Sequence, residues 1–225
     1  MKYNIISIPR SGSGYLRSLI AKNLETSDGF YSISEPFNPT KNRTITSNEI
    51  IHKMISSDVV VTKNHIHELM SIPDDNDFWS IPFIHVVLLR KNIFECTLSR
   101  CIAIHTKQWS EYTYTSNDSF MIPQELFVSE FYNSIYTWNI VSTNKFNISY
   151  DRVLYYEDLT FKSDVDCSLF GIKYNGQDVN YEKSPDKLSV ISNYSLLKDV
   201  SLSVLNTVSI SNVLKEDVNL LLDLK

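Results

Sequence analysis

The sequence predicts an α/β protein, a three-layer αβα sandwich built around a mainly parallel sheet. Four short apolar runs of strand length carry this prediction, at residues 3–8, 58–62, 84–89 and 153–156. Segments whose apolar residues have helical spacing separate these runs. Continuous apolar runs suit parallel strands that are buried on both faces, and strands that alternate with helices imply right-handed crossovers.

Each predicted helix rests on apolar residues that recur three or four positions apart and therefore share one face. One such stripe follows the first strand and two follow the third. The chain from Lys187 onward has weaker helical spacing and ends in a stripe that we expect to dock on the core. The stripes are Leu16, Leu19, Ile20 and Leu24; Phe94, Thr97, Leu98, Cys101 and Ile104; Phe127, Phe131, Ile135 and Trp138; and Val218, Leu221 and Leu222.

Length and composition predict one domain over residues 1–225. Chains usually split into several domains only beyond about 250 to 300 residues. Hydrophobic residues make up 43% of the chain and charged residues 21%, which excludes a disordered or fibrous protein. The net charge is −5, from 21 basic and 26 acidic residues, so a nucleic acid polymer is not an expected partner.

The sequence predicts a cytoplasmic protein without a membrane span. The first apolar run is far shorter than the core of a signal peptide or the roughly 20 residues that cross a bilayer. Cys96, Cys101 and Cys167 leave one cysteine unpaired in any disulfide scheme and lack the C-x-x-C spacing. We therefore expect reduced thiols and no metal site.

The turn after the first predicted strand is the expected ligand site, because ligands of such sheets bind at the carboxyl ends of the strands. Residues 9–14 of this turn read PRSGSG. Small residues let backbone N–H groups approach an anion, the following helix presents unpaired N–H groups, and Arg10 adds a cation. The same residues also fit an ordinary strand-to-helix turn with a capping serine. Taken alone, the turn leaves both interpretations open.

A P-loop for nucleoside triphosphates is not predicted. That loop has the pattern G-x-x-x-x-G-K-[ST], whose lysine and hydroxyl serve the terminal phosphates and magnesium. Neither residue is present in the turn, and the third strand ends in Leu89 and Arg90 rather than in an aspartate that could hold a metal ion. A phosphate-bearing ligand that needs no magnesium fits better.

Four segments together resemble the sulfotransferases that use 3′-phosphoadenosine 5′-phosphosulfate (PAPS), above all their bacterial, trehalose-sulfotransferase-like carbohydrate branch. PRSGSGYL at residues 9–16 is similar to the family's 5′-phosphosulfate loop. Residues 85–109 are similar to the strand, arginine and helix that bind the 3′-phosphate. FYSISEPF at residues 30–37 and VLYYEDL at residues 153–159 resemble two further family segments. The four matches occur in the family's order.

The resemblance implies a P-loop-like sulfotransferase fold and transfer of a sulfuryl group from PAPS to a hydroxyl, which leaves 3′-phosphoadenosine 5′-phosphate (PAP). No metal is implied. The implied acceptor is a small molecule or glycan, and the branch that the segments resemble implies a carbohydrate or glycolipid. Arg90 and Ser99 are the implied ligands of the 3′-phosphate. The other implied donor-binding residues are Arg10, Ser11, Gly12, Ser13, Gly14 and Tyr15.

Arg10 is the candidate for the cation that stabilises the leaving phosphate, and two residues compete as the base for the acceptor hydroxyl. Glu35 lies in the segment that resembles the carbohydrate branch, where a glutamate is the proposed base. Partial desolvation beside an anionic donor predicts a raised pKa for this carboxyl. His65 lies in a segment that resembles the aryl branch, where a histidine is the base, and imidazole titrates near neutral pH. The two remain alternatives.

An alternative function is a catalytically inactive nucleotide-binding or regulatory protein that keeps the PAPS and PAP cradle. Gly14 favours this alternative, because the family usually has a serine or threonine hydroxyl at the matching position. The expected acceptor-binding loops are residues 41–47 and 108–124. The sequence leaves the oligomeric state open, a homodimer included.

Overall fold

The computed structural model describes residues 1–25, 28–39, 41, 43–107, 119–144, 148–180 and 187–207. Residues 108–118 of the expected acceptor loop at residues 108–124 lie outside the described residues, as does the C-terminal stripe at residues 218–222. Contacts divide the chain into two compact units. The first comprises residues 1–89 and 145–181, and the second comprises residues 90–144 and 182–225, as far as these are described. One domain over residues 1–225 stays a prediction.

A five-stranded, all-parallel sheet forms the centre of the first unit, with the strand order β2-β3-β1-β4-β5. The predicted α/β class with a parallel sheet flanked by helices is therefore confirmed. The strands are β1 (Lys2–Ser7), β2 (Phe30–Ser34), β3 (Val59–His65), β4 (Ile84–Leu89) and β5 (Arg152–Tyr155). The predicted third strand agrees with β4 residue for residue, β3 continues three residues beyond its prediction, and β2 was not predicted as a strand.

The helices are α1 (Ser13–Leu24), α2 (Ser47–Ser56), α3 (Ile66–Leu69), α4 (Ile93–Thr106), α5 (Gln124–Ser142), α6 (Ser163–Leu169), α7 (Lys187–Val190) and α8 (Tyr194–Thr207). Four of them, α1, α2, α3 and α6, belong to the first unit. Helix α2 begins with a capping box, in which the side chain of Thr46 accepts a hydrogen bond from the N–H of Glu49 and Glu49 bonds back to Thr46. Such a box satisfies N–H groups that the first turn of a helix leaves unpaired.

Helices α1 and α6 pack on one face of the sheet. The stripe predicted for α1 is confirmed, because Leu16, Leu19 and Ile20 are fully buried. They pack with every second residue of the central strands, since alternate side chains of a strand point to the same face. Full burial of one such aliphatic side chain stabilises the fold by about 1.5 to 3 kcal/mol. The core members of this face are Tyr3, Ile5, Tyr15, Leu16, Leu19, Ile20, Val61, Val86, Leu88, Leu159, Cys167, Phe170 and Ile172.

The carboxyl ends of β1, β2 and β3 bring several candidate residues to one edge of the sheet. Ser7 at the end of β1 pairs with His65 at the end of β3, and Ser34 at the end of β2 pairs with Lys63. Glu35 directly follows β2. The strand order also reverses at β1, because β3 and β2 lie on one side of it and β4 and β5 on the other. A crevice at such a reversal is the usual ligand site of an open parallel sheet.

The second unit is helical and contains α4, α5, α7 and α8. The predicted helices around Phe94 and Phe127 are confirmed, and the two rings meet edge to face with centroids 5.6 Å apart. The side chain of Asn92 caps α4 by accepting a hydrogen bond from the N–H of Glu95 at 2.9 Å. The chain from Lys187 is helical over α7 and α8.

Two further predictions concern the state of the cysteines and the absence of a membrane-spanning helix. Cys96, Cys101 and Cys167 are buried free thiols, which agrees with the expected reduced state. Over the described residues, every helix is too short or too polar to cross a membrane.

Candidate functional site

The turn between β1 and α1 takes its shape from a serine and a glycine. Ser11 is fully buried, and its hydroxyl donates to the backbone oxygen of Ile8 at 2.8 Å. Gly12 has a φ of +81°, which favours glycine over other residues. A Cβ atom at this position would lie 2.7 Å from Cδ2 of Tyr156. Both the backbone conformation and the packing therefore require a glycine at position 12.

The start of α1 has the properties of an anion site. Its capping residue Gly12 offers no side-chain hydrogen bond, and the first turn contains no acidic residue. The first N–H groups of a helix have no partner inside the helix, and together with the helix dipole they favour an anion. A Cβ atom added to Gly14 would meet no atom within 4 Å. Arg10 lies in the same turn with a φ of +65°.

Some predicted donor-binding side chains are used by the fold itself. The ring of Tyr15 is buried against Phe161, with centroids 5.0 Å apart, and its hydroxyl donates to Oδ2 of Asp166 at 2.9 Å. The hydroxyl of Ser11 closes the turn, as described above. The side chain of Tyr15 is thus a core residue, and the side chain of Ser11 holds the loop. Contacts of these two residues with a ligand are expected through the backbone of the turn.

Arg90 and Ser99, the two implied ligands of the 3′-phosphate, lie in the second unit. Arg90 directly follows β4 and is half-buried. Ser99 lies on α4 and is buried. Arg10, Glu35 and His65 belong to the first unit.

The two candidate bases, Glu35 and His65, are neighbours in the structure. Oε1 of Glu35 lies 3.3 Å from Nε2 of His65 and forms an ion pair with Nζ of Lys63. Lys63 and His65 are two residues apart on β3, so their side chains share one face of the sheet. That face also carries Val61 of the core. A single cluster therefore joins the segments that resemble two different branches of the family.

The backbone of Glu35 is fixed in an uncommon conformation. Its φ of +53° lies in the left-handed region. Its N–H donates to the backbone oxygen of Lys63 at 2.6 Å, so the residue continues the pairing of β2 with β3. Nη2 of Arg43 donates to the backbone oxygens of Ser34 at 2.6 Å and Glu35 at 2.9 Å. These three hydrogen bonds fix the backbone of Glu35 at the carboxyl edge of the sheet.

The carboxylate of Glu35 receives donors at both oxygens. Oε1 contacts Lys63 and His65, as described above. Oε2 accepts a hydrogen bond from Nδ2 of Asn38 at 3.1 Å and forms an ion pair with Nζ of Lys41 at 3.1 Å. Lys41 belongs to the first of the two expected acceptor loops. Its side chain is 40% exposed, whereas that of Lys63 is only 9% exposed.

The pKa of Glu35 is shifted in the direction opposite to the prediction. The hydrogen bond with His65 lowers this pKa most, and the hydrogen bond and charge of Lys63 add to the effect. Together they outweigh the desolvation that raises it. The expected raised pKa was wrong because the sequence did not show that His65 and Lys63 both contact this carboxylate. Glu35 is therefore a firmly ionised group at neutral pH.

His65 is held from three sides. Burial lowers its pKa, although the hydrogen bond with Glu35 opposes this shift. Nδ1 of the ring lies 3.3 Å from Oγ of Ser7, which is fully buried. The backbone N–H of His65 donates to Oε2 of Glu68 at 2.9 Å. The ring thus has fixed neighbours at both nitrogens and a fixed backbone.

Glu68 is a second carboxyl group beside this cluster. Its side chain is 2% exposed, and Oε1 has no hydrogen-bond partner among the described residues. Burial raises its pKa to about 7, and the charge of Glu35 adds to that effect. The backbone N–H of His65 and the charges of Lys63 and Lys41 act in the opposite direction. Glu68 therefore changes its charge near neutral pH.

Sequence reasoning missed Ser7, Lys41 and Glu68 as members of this cluster. Glu68 had a usable signal, because a glutamate three residues after the first residue of a turn is typical of a capping box. Ser7 could be found only from the pairing of β1 with β3. Lys41 gives no local signal, since the loop that carries it has no regular pattern.

Comparison with models of known protein families gives no match, and comparison with curated proteins gives none either.

Proposed function

We propose that this protein is a metal-independent, cytoplasmic sulfotransferase with a P-loop-like sulfotransferase fold. It transfers a sulfuryl group from PAPS to a hydroxyl of a small molecule or glycan, and the proposed acceptor class is a carbohydrate or glycolipid. One observation carries the proposal. An uncapped helix start with an open approach at Gly14 and an ionised glutamate paired with lysine and histidine lie at the carboxyl edge of the same parallel sheet.

The turn fits the sulfonate and 5′-phosphate end of such a donor. Backbone N–H groups at a helix start, together with a neighbouring arginine, are a usual arrangement for binding phosphate. The left-handed backbone of Arg10 and the tight fit of Gly12 against Tyr156 give the turn a defined shape before any ligand binds. A site shaped in advance loses less entropy on binding.

PAPS supplies the activated sulfuryl group, and the residues of this chain supply charge stabilisation and a proton acceptor. Negative charge grows on the leaving phosphate as its bond to sulfur breaks, so a cation and N–H groups placed there lower the barrier. Arg10 and the start of α1 are proposed for this role. The proton of the acceptor hydroxyl passes to the Glu35–His65 pair. Arg90 and Ser99 remain the proposed ligands of the 3′-phosphate because of the resemblance of residues 85–109.

The product PAP is the first probe of the proposed donor site. PAP should raise the melting temperature in proportion to the logarithm of its concentration, because a ligand that binds only the folded state stabilises it. ATP with magnesium should not replace it. A melting temperature that PAP leaves unchanged up to millimolar concentrations would count against the site.

Labelled PAPS and a panel of carbohydrate and glycolipid acceptors test the reaction. Arg10→Ala should lower kcat by about a hundredfold to a thousandfold, as loss of a comparable charge-stabilising donor does elsewhere. Arg90→Ala should mainly raise the KM for PAPS. Lys53→Ala, at an exposed position of α2, is the matched control and should keep the wild-type rates. Unchanged rates in both arginine variants would contradict the proposal. PAP binding without transfer to any acceptor would favour the nucleotide-binding, regulatory alternative.

A further inference from the structure

The two ring nitrogens of His65 face different partners. Nε2 lies 3.3 Å from Oε1 of Glu35 and 3.5 Å from Nζ of Lys63. Nδ1 lies 3.3 Å from the hydroxyl oxygen of Ser7. A neutral imidazole carries one proton and one lone pair, and its neighbours decide which nitrogen has which. A lone pair on Nε2 would face the carboxylate oxygen and be repelled by it, whereas an N–H at this nitrogen donates to Glu35. The neutral ring therefore carries its proton on Nε2.

The lone pair of neutral His65 then lies on Nδ1 and points at Ser7. Ser7 is fully buried at the end of β1, so an acceptor hydroxyl does not reach Nδ1. A charged imidazole has a proton on each nitrogen and no lone pair at all. In either state, His65 has no basic nitrogen to offer to a substrate.

The hydrogen-bond count of Glu35 identifies where a substrate would bind instead. A carboxylate has about four lone-pair positions. Lys63 and His65 use those on Oε1, and Asn38 and Lys41 use those on Oε2. Lys41 is the most exposed of the three basic groups, with 40% of its side chain accessible against 9% for Lys63 and 13% for His65. An acceptor hydroxyl would therefore replace Lys41 at Oε2.

We propose that Glu35 is the base, that His65 is a positioning residue which donates Nε2–H to Glu35, and that Ser7 is a positioning residue which holds the His65 ring in that orientation. The step itself rests on the proposed sulfuryl transfer. As the acceptor oxygen forms its bond to sulfur and the bond from sulfur to the phosphate oxygen breaks, the acceptor hydroxyl becomes strongly acidic. Its proton then moves even to the firmly ionised carboxylate of Glu35, at Oε2. The leaving PAP keeps the electron pair. His65 gains and loses no proton.

Nuclear magnetic resonance tests the ring assignment independently of any activity. Long-range correlation of the imidazole protons with ¹⁵N in labelled protein distinguishes a proton on Nε2 from a proton on Nδ1. The spectrum of His65→Gln assigns the signals of His65. We expect a proton on Nε2, and we expect Ser7→Ala to shift the Nδ1 resonance. Ser201→Ala, which removes another fully buried hydroxyl, should leave that resonance in place. A lone pair on Nε2 with the proton on Nδ1 would overturn the assignment.

Steady-state transfer of labelled sulfate tests the roles in the reaction. Glu35→Gln should lower kcat by about a hundredfold or more, the usual contribution of a general base. His65→Gln keeps a side-chain N–H near the position of Nε2 and should lower kcat by no more than about tenfold. Ser7→Ala should lower kcat by about three- to tenfold with little change in the KM for PAPS, and Ser7→Thr should restore part of that loss.

The outcomes separate this inference from the proposed function. A loss in His65→Gln as large as that in Glu35→Gln would make His65 the base and refute the inference while leaving sulfuryl transfer intact. If the wild-type protein transfers no sulfate, the proposed function fails and the kinetic roles fail with it. The ¹⁵N spectra then still decide whether Ser7 and Glu35 hold His65 in the stated orientation.

Discussion

Arg10 and Glu35 share an uncommon backbone conformation. They are two of the five non-glycine residues that the described chain places at positive φ, with values of 65° and 53°. Such a conformation costs on the order of 1 to 3 kcal/mol at each residue and persists only where the surroundings enforce it. For Glu35, the enforcing contacts are the hydrogen bonds with Lys63 and Arg43. Glu35 directly follows β2, and Arg10 lies three residues after the end of β1. Strained residues of this kind cluster at functional sites of proteins.

Glu68 should make the stability of the protein fall as the pH rises. Its pKa is about 7 in the folded protein against an ordinary value of 4.5, so the folded state holds this proton more tightly. The resulting stabilisation is fully present below pH 4.5 and is lost as the pH rises through 7. Its size is about 3 kcal/mol, because one pKa unit corresponds to about 1.4 kcal/mol.

Urea unfolding of the wild type and of Glu68→Gln between pH 4.5 and 8 measures this term. As the pH rises over that range, the free energy of unfolding of the glutamine variant should increase by about 3 kcal/mol relative to that of the wild type. Ser71→Ala is the matched control, because the hydroxyl of Ser71 donates to the backbone oxygen of Glu68 at 2.6 Å and carries no charge. Its difference from the wild type should not change with pH. A constant difference for Glu68→Gln would mean that Glu68 is not the titrating group.

The β1–α1 turn contains two glycines with opposite structural requirements. Gly12 has a φ of +81° and no room for a Cβ atom, whereas Gly14 lies in the first turn of α1 with open space around it. Gly12→Ala should therefore destabilise the protein by about 2 kcal/mol or more, from backbone strain and the clash with Tyr156. Gly14→Ala should stabilise it by about 0.5 to 1 kcal/mol, because alanine is the better helix former.

Thermal and urea unfolding of the two variants provide a matched comparison within one turn. The same chemical change is made two residues apart, so a difference in sign reports the local backbone alone. Equal effects of the two alanines would mean that the turn does not have the described conformation.

The strands that the sequence predicted and the strand that it missed differ in their composition. Residues 84–89 were predicted without error because β4 is apolar nearly throughout and is buried on both faces from residue 86 to residue 89. β2, with the sequence FYSIS, contains two serines and is only partly buried, so no apolar run marked it. β3 extends through Lys63, Asn64 and His65. Polar residues continue the strand there because pairing with β1 and β2 provides hydrogen-bond partners for their backbone N–H and C=O groups.

The sequence predicted individual residues of the candidate site, but it did not predict that they form one cluster. Arg10, Glu35 and His65 were found from separate segments, and the pairing of three parallel strands brings two of them together. This pairing connects residues that are far apart in the sequence and leaves no local pattern. The wrong pKa direction for Glu35 has the same origin, because His65 and Lys63 reach the carboxylate only in the folded sheet.

The chain alternates between its two compact units, and this order of segments bears on how it unfolds. β4 ends the first segment of the first unit, and β5, which pairs with β4, lies in that unit's second segment. All of the chain between them, apart from the residues just before β5, belongs to the second unit. If the second unit unfolded alone, the β4–β5 pair would close a flexible loop of roughly 60 residues, at an entropic cost of about 3 to 4 kcal/mol. The pairing of β4 with β5 is therefore coupled to the structure of the second unit.

We expect one cooperative unfolding transition, as the predicted single domain requires. Trp79 lies in the first unit and Trp138 in the second, so variants that keep one tryptophan report on each unit separately. Trp109→Phe/Trp138→Phe leaves Trp79, and Trp79→Phe/Trp109→Phe leaves Trp138. In each variant, the urea transition followed by tryptophan fluorescence should coincide with the transition followed by circular dichroism. Two separate midpoints in the circular dichroism of one variant, of which fluorescence follows only one, would show that the chain forms two domains that unfold independently.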